Sequence, residues 1–80
     1  MKMNVYTDEM KREMFETAAG YKSMWRHYTD AKKAFIEEGE RGLAAREEMK
    51  AKANREAYVA LKEMFNILGI YEEWLEYDYE

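Results

Sequence analysis

The residues of this chain with the clearest chemical character lie at its end, where Tyr71 to Glu80 read YEEWLEYDYE. All ten are acidic or carry an apolar body, and none is basic. On a helix, Glu72, Glu76 and Glu80 follow one another at four-residue steps, with roughly 5 to 6 Å between neighbouring side chains. Like charges at that spacing repel, and no lysine or arginine lies within one turn to relieve them. A row of carboxylates with tyrosines between them mimics the charge of a nucleic-acid backbone, and so suits a protein groove lined with lysine and arginine. On this reading Glu72, Glu73, Glu76 and Asp78 meet cations on a partner, while Trp74 and Tyr77 supply anchoring area. Glu9, Glu13 and Glu16 make a second, shorter row, interrupted by Lys11 and Arg12.

Other chemistry has less to stand on. His27 is the only histidine, and Asp30 follows it by three positions, but two ligands do not make a metal site. Di-iron bundles need Glu-x-x-His pairs, and Met24 occupies the place where the glutamate would be. Without cysteine there is no disulfide, thiolate zinc site or cysteine nucleophile. Neither Gly20 nor the pair Gly39 and Gly42 fits a phosphate-cradling loop. The expectation is a protein that is not an enzyme, with no cofactor, no metal and no small-molecule substrate.

The elements that carry these residues are helical. With no proline, four glycines and 38% charged residues among 80, the chain favours continuous helix, and its 48% hydrophobic content argues against disorder. Met10, Met14, Ala18, Tyr21, Trp25, Tyr28 and Phe35 recur at four- and three-residue steps, with Lys32 in one slot, and define a first helix. Thr7 suits its N-cap, with Asp8 and Glu9 at the positive end of the helix dipole. Gly20 falls inside this pattern as a kink, a close contact or a break. Gly39 to Gly42 predict a helix-helix turn. A second helix follows from Leu43, with an apolar face of Ala53, Ala57, Ala60, Leu61, Met64, Phe65 and Leu68, and Gly69 as a left-handed cap backed by Ile70 against Phe65. The last ten residues form a short third helix, with Ile70, Tyr71, Trp74, Leu75 and Tyr77 on one side and Glu72, Glu73, Glu76 and Glu80 on the other. So short a helix must dock to persist, and Trp74 is its natural anchor. The fold class expected is all-α, a long antiparallel helical hairpin closed by a short C-terminal third helix, in one domain spanning residues 1–80.

Charge is distributed unevenly along this frame. Residues 1–21 hold three basic and four acidic groups, residues 22–62 ten and seven, and residues 63–80 none and six, giving −1, +3 and −6. In the basic middle, Lys22, Arg26 and Lys33 share one side, but Arg46 and Lys50 alternate with Glu47 and Glu48 as on a solvated, salt-bridged face. A net charge of −4 supplies a poor field for duplex binding, so no direct nucleic acid is expected as a ligand. No apolar run approaches the roughly 20 residues that span a bilayer, and the N-terminus has no secretory signal pattern. The expectation is a soluble, cytoplasmic protein with no membrane partner.

Seven methionines, seven tyrosines and two tryptophans exceed what a small hairpin can hide. Some of Tyr6, Tyr58, Tyr77, Tyr79 and Met49 are expected to face outward, where such residues anchor interfaces. In size, charge and helicity, though by no shared motif, the chain resembles the small acidic proteins that bacteriophages encode against host defences, anti-CRISPR proteins among them. That resemblance implies an inhibitor, working in the cytoplasm of the host cell, that occupies a basic, nucleic-acid-handling surface of a larger protein. The alternative is a self-associating structural or assembly protein, whose four-three apolar spacing suits a left-handed four-helix bundle. The two are compatible, since a homodimer can also inhibit.

Overall fold

A computed structural model describes residues 6–79, with the side chain of Tyr79 left out. The chain forms α1 (Asp8–Glu37), α2 (Arg41–Leu68) and α3 (Tyr71–Tyr79). The first two make an antiparallel hairpin and the third closes its open end, in a body measuring 58 by 21 by 16 Å.

Local chemistry sets each boundary. Thr7 caps α1 through its hydroxyl, which accepts the Met10 N–H at 3.1 Å. Between α1 and α2 the turn is tighter than the glycine spacing predicts. Gly39 alone takes the left-handed conformation, at φ 78°, while α2 begins at Arg41 and takes Gly42 into its first turn. Gly69, at φ 77°, ends α2 in the expected left-handed cap, and the Ile70 N–H donates to the Phe65 carbonyl at 2.9 Å. Gly20 neither breaks nor bends the pattern into two helices, since α1 runs through it, and a Cβ there would meet nothing within 4 Å.

The packed seam is a heptad pattern that shares Ala18, Trp25, Leu61, Phe65 and Leu68 with the faces expected from spacing and is rotated away from the rest of them. On α2 it runs Ala44, Glu47, Ala51, Asn54, Tyr58, Leu61, Phe65 and Leu68; on α1 it runs Lys11, Phe15, Ala18, Lys22, Trp25, Thr29 and Lys32. Met10 and Tyr21 on α1, and Ala53, Ala60 and Met64 on α2, are exposed. On α2 the stripe that carries Tyr58 and Phe65 packs inward, which removes the larger area from water. On α1 the neighbouring stripe holds Tyr21, Tyr28 and Phe35, yet Phe15 and Trp25 face α2 because their rings meet Phe65 and Tyr58. The lysines of the α1 seam lay their methylene stems across it and keep their ammonium groups at its edge. Glu47 is likewise buried in the seam, held by Lys50 Nζ at 3.5 Å and Arg46 Nε at 4.0 Å, so this part of α2 is not the fully solvated face expected from its charge alternation.

The core occupies the open half of the hairpin, where Phe15, Ala18, Tyr58, Phe65, Ile70 and Trp74 are buried together. Tyr58, a candidate for an outward-facing ring, is one of its members, while Met49 is 74% exposed. Tyr6 and Tyr77 are half-buried. Leu75, expected on the inner side of α3, is instead exposed.

The two glycines should respond oppositely to alanine. Gly20→Ala is expected to raise stability by about 0.5 to 1 kcal/mol, because it restricts the unfolded chain and meets no obstacle. Gly69→Ala should lower it by about 1 kcal/mol, since the left-handed backbone penalises a Cβ. Urea midpoints at constant slope measure both.

Candidate protein-binding surface

The third helix is held by one large side chain. Trp74 is 0% exposed and lies between Phe15 and Phe65, with ring centroids at 5.7 and 5.5 Å, while Tyr58 meets it edge-on at 6.1 Å. Tyr77, one turn later, stacks on it at 5.9 Å and reaches Phe15 at 5.5 Å. Phe15 and Phe65 meet each other edge-on at 5.1 Å, so all three helices contribute to one aromatic cluster. Such edge and tilted contacts add about 0.5 to 1.5 kcal/mol each beyond burial itself. Among the described residues the Trp74 Nε1–H has no hydrogen-bond partner, a penalty that the ring contacts outweigh.

Two ion pairs fix how α3 lies along α1. Lys11 Nζ sits 3.0 Å from one carboxylate oxygen of Glu73 and 3.2 Å from the other. Lys22 Nζ sits 3.0 Å from both oxygens of Asp78. Partly solvated pairs of this kind contribute roughly 0 to 1 kcal/mol, well below the burial of an indole, so they orient the helix and do not hold it on. The relief for this acidic segment comes from cations 62 and 56 positions away, where spacing along the chain could not reveal it.

The six residues singled out in the terminal segment therefore separate into three groups. Trp74 belongs to the core and presents no surface to a partner. Tyr77 is half-buried beside it, and Glu73 and Asp78 are spent on α1, although Glu73 remains half exposed. Glu72 and Glu76 point outward on consecutive turns, with no ion pair among the described residues, and Leu75 flanks them, 48% exposed. Glu80, the third member of the row, and the side chain of Tyr79 lie outside the described residues. An open hollow of about 270 Å³ adjoins this surface between Asp8, Lys11, Arg12, Glu73 and Glu76, so Arg12 borders the acidic patch as well as the Lys11 that pairs with Glu73.

On the same side of the hairpin, beyond the end of α3, the groove between α1 and α2 changes sign. Trp25 floors a hollow of about 400 Å³ bordered by Thr29, Lys32, Lys52 and Arg55, with Glu48 bound to Lys32 at 3.1 Å. Lys22, Arg26 and Lys33 lie along the adjoining strip of α1. The sequence identifies Lys22, Arg26 and Lys33 on one side and Trp25 on an apolar face, but not their grouping with Lys52 and Arg55, because that depends on how α1 faces α2. His27 is exposed, with its ring 5.2 Å from that of Tyr28. Among the described residues no three His, Asp or Glu side chains are grouped to hold a metal ion, and no helix is long and apolar enough to cross a membrane.

Compared with protein-family models, with curated proteins and with solved structures, the chain matches none of them.

Truncating the anchor should release the third helix. Trp74→Ala is expected to cost about 3 to 5 kcal/mol, most of the stability available to a domain of this size, whereas Trp74→Phe, which retains a ring and removes the unpaired N–H, should cost no more than about 2 kcal/mol. Thermal unfolding followed by circular dichroism distinguishes the two. An alanine variant as stable as the parent would remove Trp74 from the centre of the fold.

Proposed function

We propose that this protein is a non-enzymatic binding module that docks on a basic, nucleic-acid-handling surface of a larger protein and occupies it. The observation that carries this reading is the mounting of Glu72 and Glu76. They extend from a helix anchored by a fully buried indole, with an exposed leucine beside them. A carboxylate pair on a fixed helix loses less entropy on binding than one on a free tail, and Leu75 adds apolar contact at the edge of the patch. Glu73 contributes through its exposed edge, and Asp78 sets the direction of α3 through Lys22. Trp74 and Tyr77 act from beneath, as the support that keeps the patch in place. An inhibitor of the phage antidefence type, which the chain resembles in size, charge and helicity, needs no more than such a surface.

The reading involves no cofactor, no small-molecule substrate and no nucleic acid bound directly. It is tested by immobilising the protein and recovering what it retains from extracts of the cells that make it. Retention of nucleic-acid-binding proteins is expected, falling steeply as salt rises through the range where surface charges are screened. The double variant Glu72→Lys, Glu76→Lys should lose those proteins while keeping its helical content. Equal retention by the parent and the double variant would overturn the reading.

A further inference from the structure

The face of the hairpin opposite α3 is unusually apolar. On α1, Met10, Met14, Thr17, Tyr21, Met24, Tyr28, Ala31 and Phe35 recur at alternating four- and three-residue steps without one charged residue. On α2, Ala53, Ala57, Ala60, Met64 and Ile67 do the same over the half that flanks the open end, Ile67 being 81% exposed, while Lys50 and Arg46 continue the register toward the turn. At 100° per residue both stripes lie about a quarter turn or more from the packed seam, and in an antiparallel pair they turn to the same side. Lys50 of α2 reaches over the Tyr28 ring at 5.4 Å, which marks that side. The ion pairs from Lys11 and Lys22 to α3 mark the other. Even the hydroxyl of Thr17 is turned back, donating to the Glu13 carbonyl at 2.9 Å. Met14 packs against the core and Tyr28, Ala31, Phe35 and Ala57 are half-buried, but Met10, Tyr21, Met24, Met64 and Ile67 are exposed, a long run of apolar surface for a monomeric protein to leave in water.

We infer that this face binds a second copy of the chain, forming a four-helix bundle with a two-fold axis along the hairpin. The area suffices. α1 spans 30 residues, about 45 Å at 1.5 Å per residue, and the body is 16 to 21 Å across, giving on the order of 700 to 900 Å² per copy, in line with the roughly 800 Å² per partner that a stable interface buries. The four-three spacing of both stripes is that of left-handed bundle packing. The relief is self-complementary as well. Large side chains make α1 a ridge, and the central alanines make α2 a shallow trough beside it. Residues level with each other across the hairpin have numbers adding to about 80, as Phe15 with Phe65 and Lys32 with Glu48 do. A two-fold axis along the hairpin keeps levels unchanged and sets α1 of each copy over α2 of the other. Tyr21, Met24 and Tyr28 of one copy then settle on Ala60, Ala57 and Ala53 of the other, twice over. The opposite arrangement, turn end over open end, would set ridge on ridge. Because α3 lies on the far side, the dimer leaves Glu72 and Glu76 exposed, and it stands whether or not the proposed docking function does.

Sedimentation velocity on the full chain tests the association, and the helical signal checks the fold of each variant. The parent should sediment as a dimer at micromolar concentration. Ala60→Glu, exposed in the single copy, should weaken association by at least about 100-fold with helicity retained, because it buries an unpaired carboxylate twice. Val59→Glu, exposed on the opposite side, should leave the dimer intact. The chain has no cysteine, so a second measurement reads the arrangement directly. When copies carrying Tyr21→Cys are mixed with copies carrying Ala60→Cys and oxidised, the mixed disulfide should exceed either self-linked product. A parent that remains monomeric at about 100 μM, well above the range of ordinary stable dimers, would overturn the inference. So would a dimer that Val59→Glu breaks and Ala60→Glu does not, or one in which Tyr21→Cys links chiefly to itself.

Discussion

One buried indole organises this molecule. Two antiparallel helices have much side surface and little interior, so a hairpin of this length has no core unless something closes a third side. Trp74 supplies that closure from a helix of nine residues, too short to persist in isolation. Its ring meets Phe15 of α1 and both Tyr58 and Phe65 of α2, so burying it fixes the separation of the long helices and the position of the short one together. The acidic patch inherits its order from that contact, as does the direction in which Glu72 and Glu76 point.

The seam divides into two unlike halves. Toward the open end it is filled by rings, through Phe15, Trp25, Tyr58, Phe65 and Trp74. Toward the turn it holds Thr29, Lys32, Ala44, Glu47, Ala51 and Asn54, which bring the helices together but bury little apolar area and place one carboxylate inside. Stability is therefore concentrated at the end that carries α3, and the turn end depends on helix continuity and the Lys32 to Glu48 ion pair. Charge follows the same division. The acidic third helix lies over the ring-filled half, and the cations around Trp25 lie over the groove beyond it. Both proposed contacts use what this division leaves over: the outer side of α3 for a basic partner, and the broad face away from α3 for a second copy.

Much of the fold is legible in the sequence because its signals are local. Thr7 before two acidic residues marks the start of α1, Gly69 followed by Ile70 marks the end of α2, and the spacing of Trp74 and Tyr77 marks the docked side of α3. The orientation of the long helices is harder to read. Apolar residues spread beyond one stripe on each, and on α1 spacing alone favours the uncharged line through Met10 and Tyr21 over the packed line through Phe15 and Lys22. Packing selects the stripe whose rings interdigitate, which is a property of the pair of helices and not of either one. For the same reason the candidate surface is only half legible. Carboxylate spacing identifies Glu72 and Glu76, but the pairing of Glu73 with Lys11 and of Asp78 with Lys22 joins residues far apart in the chain and becomes visible only once α3 is docked.

Hydrogen exchange at the amides of α3 tests the dependence on Trp74 most directly. The Trp74 amide donates to the Ile70 carbonyl at 3.0 Å, and the next three amides follow it within α3. If the docked indole holds the fold together, these amides exchange only when the whole domain opens, with the same protection as those around Phe65 in α2. Protection near zero along α3, alongside strongly protected amides in α1 and α2, would show a hairpin that stands without its third helix and would contradict the account.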